Sequence, residues 1–442
     1  MKLKNFAKIL SVLLLVCLCF TSCSAEGAYN SAVGGGDKGG GSILPPSFGD
    51  DSDSFFGSAD EDYASGAAEG DKTEGDDGEV DGSVVRPAGL ITASAFNDND
   101  YYDYWKSLFE QGEQTSGKFV ERLGKNSWNL NSLDRIKVTV KVGDEPVAGA
   151  AAVAYSASGE KLFSAVTNAS GVAYLFCGEG SGTVRVSSSD FSASAEFTPD
   201  VRELTLSLDG AEEKRDIIDI MFVVDVTGSM GDELSFLQNE IADVIDRIAK
   251  ANADAIVNLA LLFYRDECDR EQFLYYDFVN VTTPVGLASV QAALESCSAT
   301  GGGDYPESVD EALLLATEKQ WSSAAGTKLI FHILDAPPHS TDEDIENYSS
   351  ALLRASELGI RICPILCSGA DELTEYLTRQ AAIYTGGTFI FVTDDSGIGG
   401  THHDPGIPNV TVEALNSLIV RLVNGYHSGT FSDPIDWRQE VK

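Results

Sequence analysis

Asp225, Thr227 and Ser229 stand at alternate positions straight after the apolar run 217–224, offering one carboxylate and two hydroxyl oxygens within five residues. Hard divalent cations take oxygen ligands, so these residue types at this spacing suit cation coordination. Asp335 closes a second apolar run, 328–334, just before the double proline Pro337-Pro338. Continuous apolar runs that stop on an acid read as buried parallel strands. In an open α/β sheet ligands gather beyond the carboxyl ends of the strands, so both carboxylates are expected at one edge. The plainer reading is that Asp225 and Asp335 cap helices or solvate a strand end, with Thr227 and Ser229 opening the next helix.

Other residues offer weaker chemistry. His339 follows the double proline beside the same edge and is placed to contact a ligand or act as a base, or simply to lead into a helix. In the segment Arg265-Asp266-Glu267-Cys268-Asp269, Asp266 reads as an acid supporting the metal ligands, with Arg265 as its counter-ion. His402-His403-Asp404 has transition-metal donors but sits in a Gly/Pro-rich loop and reads better as solvated. The chain contains no GxSxG elbow, Walker A loop or HExxH helix.

The elements that must position these groups follow from periodicity. Within 216–426, runs at 256–264, 329–334, 360–366 and 388–392 read as strands and 273–278 as an antiparallel edge. Leu234, Leu237, Ile241, Val244, Ile245 and Ile248 form one helical stripe, and further helices are expected near 290–294, 307–317, 373–384 and 412–423. Ser340-Thr-Asp-Glu-Asp opens a helix that Gly359 closes. This alternation predicts an α/β fold with a doubly wound, mostly parallel sheet. Ahead of it, seven short alternating runs over 130–210, separated by turns such as Ser158-Gly159 and Asn168-Ala-Ser-Gly171, predict a small all-β sandwich.

The rest of the 442-residue chain is organisational. Lys2, Lys4 and Lys8 followed by the apolar run 9–20 fit an export signal over 1–23. Residues 24–85 are Gly-, Ser- and Asp-rich, with 15 acids against 2 lysines, and read as a disordered, self-repelling linker. Residues 86–129 hold a cluster of aromatics and read as a docked connector with a helix capped from 97–100; 427–442 is a C-terminal tail. The net charge of −39 argues against nucleic acid as a partner and against attraction to anionic lipid. Of eight cysteines, Cys268 and Cys297 leave one disulfide open in an oxidising compartment, with no spacing that supports it, while Cys363 and Cys367 read as buried small hydrophobes.

Three resemblances add to this reading. Phe20-Thr-Ser-Cys23 resembles the bacterial lipobox, which implies lipidation of Cys23 after cleavage and a membrane anchor without a spanning helix. Glu145-Pro-Val-Ala-Gly-Ala and Thr167-Asn-Ala-Ser-Gly-Val-Ala look like carboxypeptidase regulatory-like or Ig-like modules, usually spacers or ligand platforms. The domain 216–426 resembles the von Willebrand factor type A family, Asp225-Val-Thr227-Gly-Ser229 matching its DxSxS metal-site motif with threonine for the first serine.

That resemblance implies a metal-ion-dependent adhesion site completed by Asp335 and by a residue of the loop 300–307, Thr-Gly-Gly-Gly-Asp-Tyr-Pro-Glu, which is similar to the GGGDxPE variant. Thr300 fits by residue type and Asp304 by position relative to the following helix; Asp304 is preferred. The implied ligand set is Asp225, Thr227, Ser229, Asp304 and Asp335, and the implied ion is Mg2+, with Ca2+ or Mn2+ as alternatives. Three carboxylates would hold the ion more tightly and leave it a weaker Lewis acid toward an acidic partner.

The sequence thus predicts an exported, lipid-anchored, non-enzymatic adhesion or binding protein of the cell envelope, periplasmic or surface-exposed, that recognises a protein or other acidic ligand at a metal site. The alternatives are a metal-dependent hydrolase using Asp225, Asp304 and Asp335 with His339 as base, or an envelope component with a purely structural metal.

Overall fold

A computed structural model describes residues 91–112, 115–213, 215–396 and 402–440. The export signal, Cys23 and the acidic linker lie outside the described residues. Among the described residues no helix is long and apolar enough to cross a membrane.

The described strands are β1 (Thr92–Phe96), β2 (Arg135–Val142), β3 (Ala151–Ser156), β4 (Lys161–Val166), β5 (Val172–Phe176), β6 (Gly182–Ser188), β7 (Phe191–Phe197), β8 (Glu203–Ser207), β9 (Arg215–Asp225), β10 (Ile256–Tyr264), β11 (Phe273–Asn280), β12 (Ala325–Leu334), β13 (Arg361–Leu366), β14 (Phe389–Val392) and β15 (Glu413–Ala414), besides three further two-residue segments, Gln111–Gly112, Thr115–Ser116 and Glu145–Pro146. The main helices are α1 (Tyr102–Ser107), α2 (Gly231–Ala251), α3 (Pro284–Ser296), α4 (Val309–Glu318), α5 (Asp342–Leu358), α6 (Glu372–Thr385) and α7 (Leu415–Ser428).

The large sheet runs β11-β10-β9-β12-β13-β14-β1-β15. Strands β10, β9, β12, β13 and β14 are mutually parallel, and β11 is antiparallel at one edge. This is the doubly wound, mostly parallel architecture that the alternating apolar runs predict. Residues 218 and 220–224 of β9 are buried on both faces, which explains why the run into Asp225 is apolar; the one acid within it, Asp219, is buried and accepts from Asn258 Nδ2 and Ser322 N. The α2 stripe Leu234, Leu237, Ile241, Val244, Ile245 and Ile248 is buried against one face, each side chain contributing about 1.5–3 kcal/mol of burial free energy. At α5, Thr341 and Asp344 form a reciprocal capping box and Gly359 ends the helix at φ 70°.

One strand of this sheet comes from outside 216–426. β1 pairs antiparallel with β14 and with β15, although residues 92–96 read in sequence as connector. The short run Thr-Ala-Ser-Ala-Phe lacks an apolar signal because its buried hydroxyls are bonded instead: Thr92 Oγ1 lies 2.9 Å from Thr393 Oγ1, and Ser94 donates to Thr411 O at 3.1 Å. Asn97 Oδ1 accepts from Asn99 N at 2.9 Å, and the helix that follows spans Tyr102–Ser107 only. Beyond Tyr426, Trp437 is buried and its N–H bonds Val412 O at 3.0 Å.

The preceding all-β part forms two sheets, β7-β6-β3-β4 and one built on β2, which pairs with β8 and β5. Its core is continuous with the larger domain. The Phe176 and Tyr384 rings stack at 4.8 Å, and the Cβ of any residue replacing Gly359 would meet Val166 Cβ at 2.9 Å. A chain of buried charges ties the segment around β1 to α6: Arg379, fully buried, binds Asp98 through both carboxylate oxygens and Glu375 at 3.1 Å.

Cys268 and Cys297, whose pairing the sequence left open, are free thiols; Cys268 is exposed and Cys297 buried. Cys363 and Cys367 are buried and free.

Candidate metal centre

β9 and β12 lie side by side and deliver Asp225 and Asp335 to the same sheet edge. Asp225 is fully buried. Its Oδ1 accepts from Thr227 N at 2.9 Å and from the Thr227 hydroxyl at 2.7 Å, while its Oδ2 is buried without a hydrogen-bond partner. Ser229 Oγ lies 3.5 Å from Thr227 Oγ1, and its hydroxyl favours the charged form of Asp335. The motif residues Asp225, Thr227 and Ser229 are therefore joined by direct contacts.

The glycine loop crosses this edge with its backbone tied to the motif. Thr300 N bonds Val226 O at 2.9 Å, and Gly228 N bonds Gly301 O at 3.2 Å. Gly301 and Gly302 both adopt positive φ, 86° and 77°. A Cβ on Gly302 would stand 3.0 Å from Glu307 Oε1 and 3.3 Å from Thr227 Cβ, so glycine there lets Glu307 and Thr227 approach one loop from both sides.

Glu307 is the acid that the sequence reading passed over as a helix start. It is 4 % exposed, its N–H bonds Pro337 O at 3.0 Å, and its Oε2 is buried with no hydrogen-bond partner. Burial, then the charges of Asp225 and Asp266, push its carboxyl up to about 9. Asp225 is pushed up to about 7 by burial and by Asp335, against the pull of the Thr227 bonds. Asp335 is raised by burial, the Ser229 hydroxyl opposing. Glu233, in the first turn of α2, is also buried and raised by burial; Oε1 accepts from Ser368 at 3.1 Å and Oε2 has no partner. The pattern Pro306-Glu307 at the end of a glycine loop was the available signal for Glu307.

Asp304 is exposed and is brought together with Asp266 and His339, one ligand atom from each lying within 4.8 Å of the others. His339 Nε2 is 2.8 Å from Asp266 Oδ1. Arg265 is not the counter-ion of Asp266: its guanidinium binds the carbonyls of Thr300, Glu271 and Ser298. Thr300 is held through its backbone. His402 and His403 diverge to different acids, Asp394 at 3.0 Å and Glu375 at 2.6 Å.

The donors around Asp225 fit a hard divalent cation. They are carboxylate and hydroxyl oxygens, and three of the buried carboxylate oxygens, on Asp225, Glu233 and Glu307, lack partners.

Residues 219–393 match the family model of the von Willebrand factor A domain. Over 137 residues the chain is 28% identical to a protein of Acanthamoeba polyphaga mimivirus named as ariadne-like RING finger; the match covers 30% of this chain and 12% of that protein's length. Among solved structures, BatB from Bacteroides thetaiotaomicron aligns at 16% identity over 40% of this chain and 90% of its own, with a TM-score of 0.30. The open conformation of the pilus adhesin SpaC from Lactobacillus rhamnosus GG aligns at 11% identity, covering 56% of this chain and 32% of its own, with a TM-score of 0.34. An aerotolerance-related membrane protein from Bacteroides fragilis aligns at 14% identity over 50% and 94%, with a TM-score of 0.25.

Proposed function

We propose that this protein is an exported, envelope-attached binding protein whose von Willebrand factor A domain recognises an acidic group of a partner through a divalent cation. The observation that carries the reading is the buried Asp225 carboxylate, one oxygen bonded to Thr227 and the other without a partner. Asp225, Thr227, Ser229, Asp335 and Glu307 are the residues that would hold the ion, with Mg2+ the first expectation and Ca2+ or Mn2+ the alternatives. When bound, the ion supplies an open coordination position for a carboxylate from the partner. Thr227 orients Asp225 by hydrogen bonds, Ser229 stands beside Thr227, and Gly301 and Gly302 keep the loop close over the edge. Asp304 belongs to this edge as an exposed acid beside the centre. Attachment through Cys23 is part of the same reading, resting on the lipobox-like Phe20-Thr-Ser-Cys23.

The test is calorimetric titration of the chelator-stripped chain with Mg2+, Ca2+ and Mn2+ beside an Asp225→Ala variant. It is followed by retention of the chain on an immobilised acidic peptide library with and without chelator. Saturable binding by the parent alone and chelator-sensitive retention support the reading. Cation binding undiminished in Asp225→Ala, or retention indifferent to chelator, overturns it.

A further inference from the structure

Next to the Asp225 centre a second set of donors converges from three different segments. Asp266 follows β10, Asp304 comes from the glycine loop, and His339 follows the double proline after β12. Side-chain ligand atoms of the three lie within 4.8 Å of one another, a convergence found once among the described residues. Asp266 is 2 % exposed; its Oδ1 takes both Glu267 N and His339 Nε2 at 2.8 Å. We propose that Asp266, Asp304 and His339 form a second divalent-cation site, distinct from the Asp225 centre, that takes a borderline transition metal such as Mn2+ or Zn2+.

Two further observations point to a ligand there. The first is Glu307, whose buried Oε2 has no hydrogen-bond partner. Its backbone pairs with Pro338, the residue before His339, and it follows Asp304 by three positions. Asp225 and Asp266 are the two charges that act on it most strongly.

The second is the charge balance: His339 pairs with Asp266 at 2.8 Å, and Asp304 brings a further carboxylate to the same cluster. Arg265, next to Asp266 in the chain, spends its donors on the carbonyls of Thr300, Glu271 and Ser298. Asp269 adds its own charge, its Oδ2 accepting from Gly302 N at 2.9 Å. The acids are thus gathered around one imidazole, and a divalent ion neutralises what the protein's own side chains do not.

The donor types select the ion. Carboxylates alone suit Mg2+ or Ca2+, whereas one imidazole nitrogen among carboxylates suits Mn2+, Fe2+, Co2+ or Zn2+. His339 faces the cluster with Nε2, so that nitrogen ligates as the neutral base. Any proton it carries passes to solvent, and Nδ1 keeps the other. The site goes beyond the Asp225 reading and stands if the Asp225 centre proves to bind nothing.

The experiment uses the full chain stripped with chelator and titrated with Mn2+, followed by pulsed electron paramagnetic resonance for nitrogen coupling to the ion and by calorimetry for stoichiometry. Zn2+ is titrated in parallel. The expected result is a nitrogen-coupled Mn2+ equivalent that persists in Asp225→Ala and disappears in His339→Ala, with affinity at that equivalent down by about tenfold or more in Asp266→Asn. Because Asp266 is buried, circular dichroism checks its folding; the partly exposed His339→Gln decides the matter if Asp266→Asn does not fold. Absence of nitrogen coupling in the parent overturns the proposal, as does coupling that survives in His339→Ala. Loss of binding confined to the oxygen-only equivalent in Asp225→Ala tests the first centre separately.

Discussion

The Thr227 hydroxyl donates to Asp225 Oδ1 at 2.7 Å, which fixes the carboxylate in a fully buried position and leaves Oδ2 turned into the site without a partner. A buried acid held by one oxygen costs folding free energy unless the other oxygen is also satisfied.

Asp225→Asn therefore separates the two uses of this residue. Removing the charge is expected to leave the metal-free chain as stable as the parent or more so, while abolishing the rise in melting temperature that saturating Mg2+ gives the parent. Thermal unfolding of both chains with and without Mg2+ measures this. A parent whose melting temperature ignores Mg2+, Ca2+ and Mn2+ alike would sink the cation reading.

Glu307 and Asp304 are expected to differ sharply at the Asp225 centre. Glu307 is buried and meets the loop that touches Thr227, whereas Asp304 is exposed beside His339. Glu307→Gln should weaken Mg2+ binding by about tenfold or more, and Asp304→Asn should change it only slightly. Equal losses in calorimetric titrations of the two variants would return Asp304 to the first set of ligands.

His332 gives the fold an acid limit. It is buried in β12 with Nε2 3.1 Å from the Tyr264 hydroxyl, and burial lowers it from 6.5 to about 3. Below pH 6.5 the unfolded chain takes up a proton that the folded chain refuses. Stability conferred by this residue's neutrality is therefore complete above that value and is lost as pH falls toward about 3. Between pH 6.5 and 5 the loss is about 2 kcal/mol. His332→Gln, which keeps a polar partner for Tyr264, should flatten that part of the profile; urea unfolding at several pH values checks it.

Arg379→Met tests the tie between the segment around β1 and α6. It strands Asp98 and Glu375, both buried, without their common cation, and should cost about 3–5 kcal/mol. Chemical unfolding of the variant, and of Arg379→Met with Asp98→Asn, gives the cost. Recovery of part of it in the double variant is expected, because one of the stranded charges is gone.

Much of the main domain was legible in its residue pattern. The apolar run into Asp225 became a central strand because a strand buried on both faces must be apolar throughout, and the α2 stripe became its cover because a period of 3.6 marks one face. β1 escaped notice for the opposite reason: Thr92 and Ser94 enter the sheet by bonding their hydroxyls, so no apolar signal marks them. Arg265 was misread because proximity in sequence to Asp266 says nothing about which carbonyls a long side chain will reach.

By itself the sequence determined the alternating α/β order and the arrival of Asp225 and Asp335 at strand ends, since both follow from periods of a few residues. The tertiary structure alone decided that β1 closes around the sheet, that Glu307 stands beside Thr227, and that Asp304 joins Asp266 and His339. Those choices depend on the path of the loop through Gly301 and Gly302 at positive φ and on its backbone bonds to Val226 and Pro337. Such a path brings together residues far apart in the chain, and local periodicity carries no record of it.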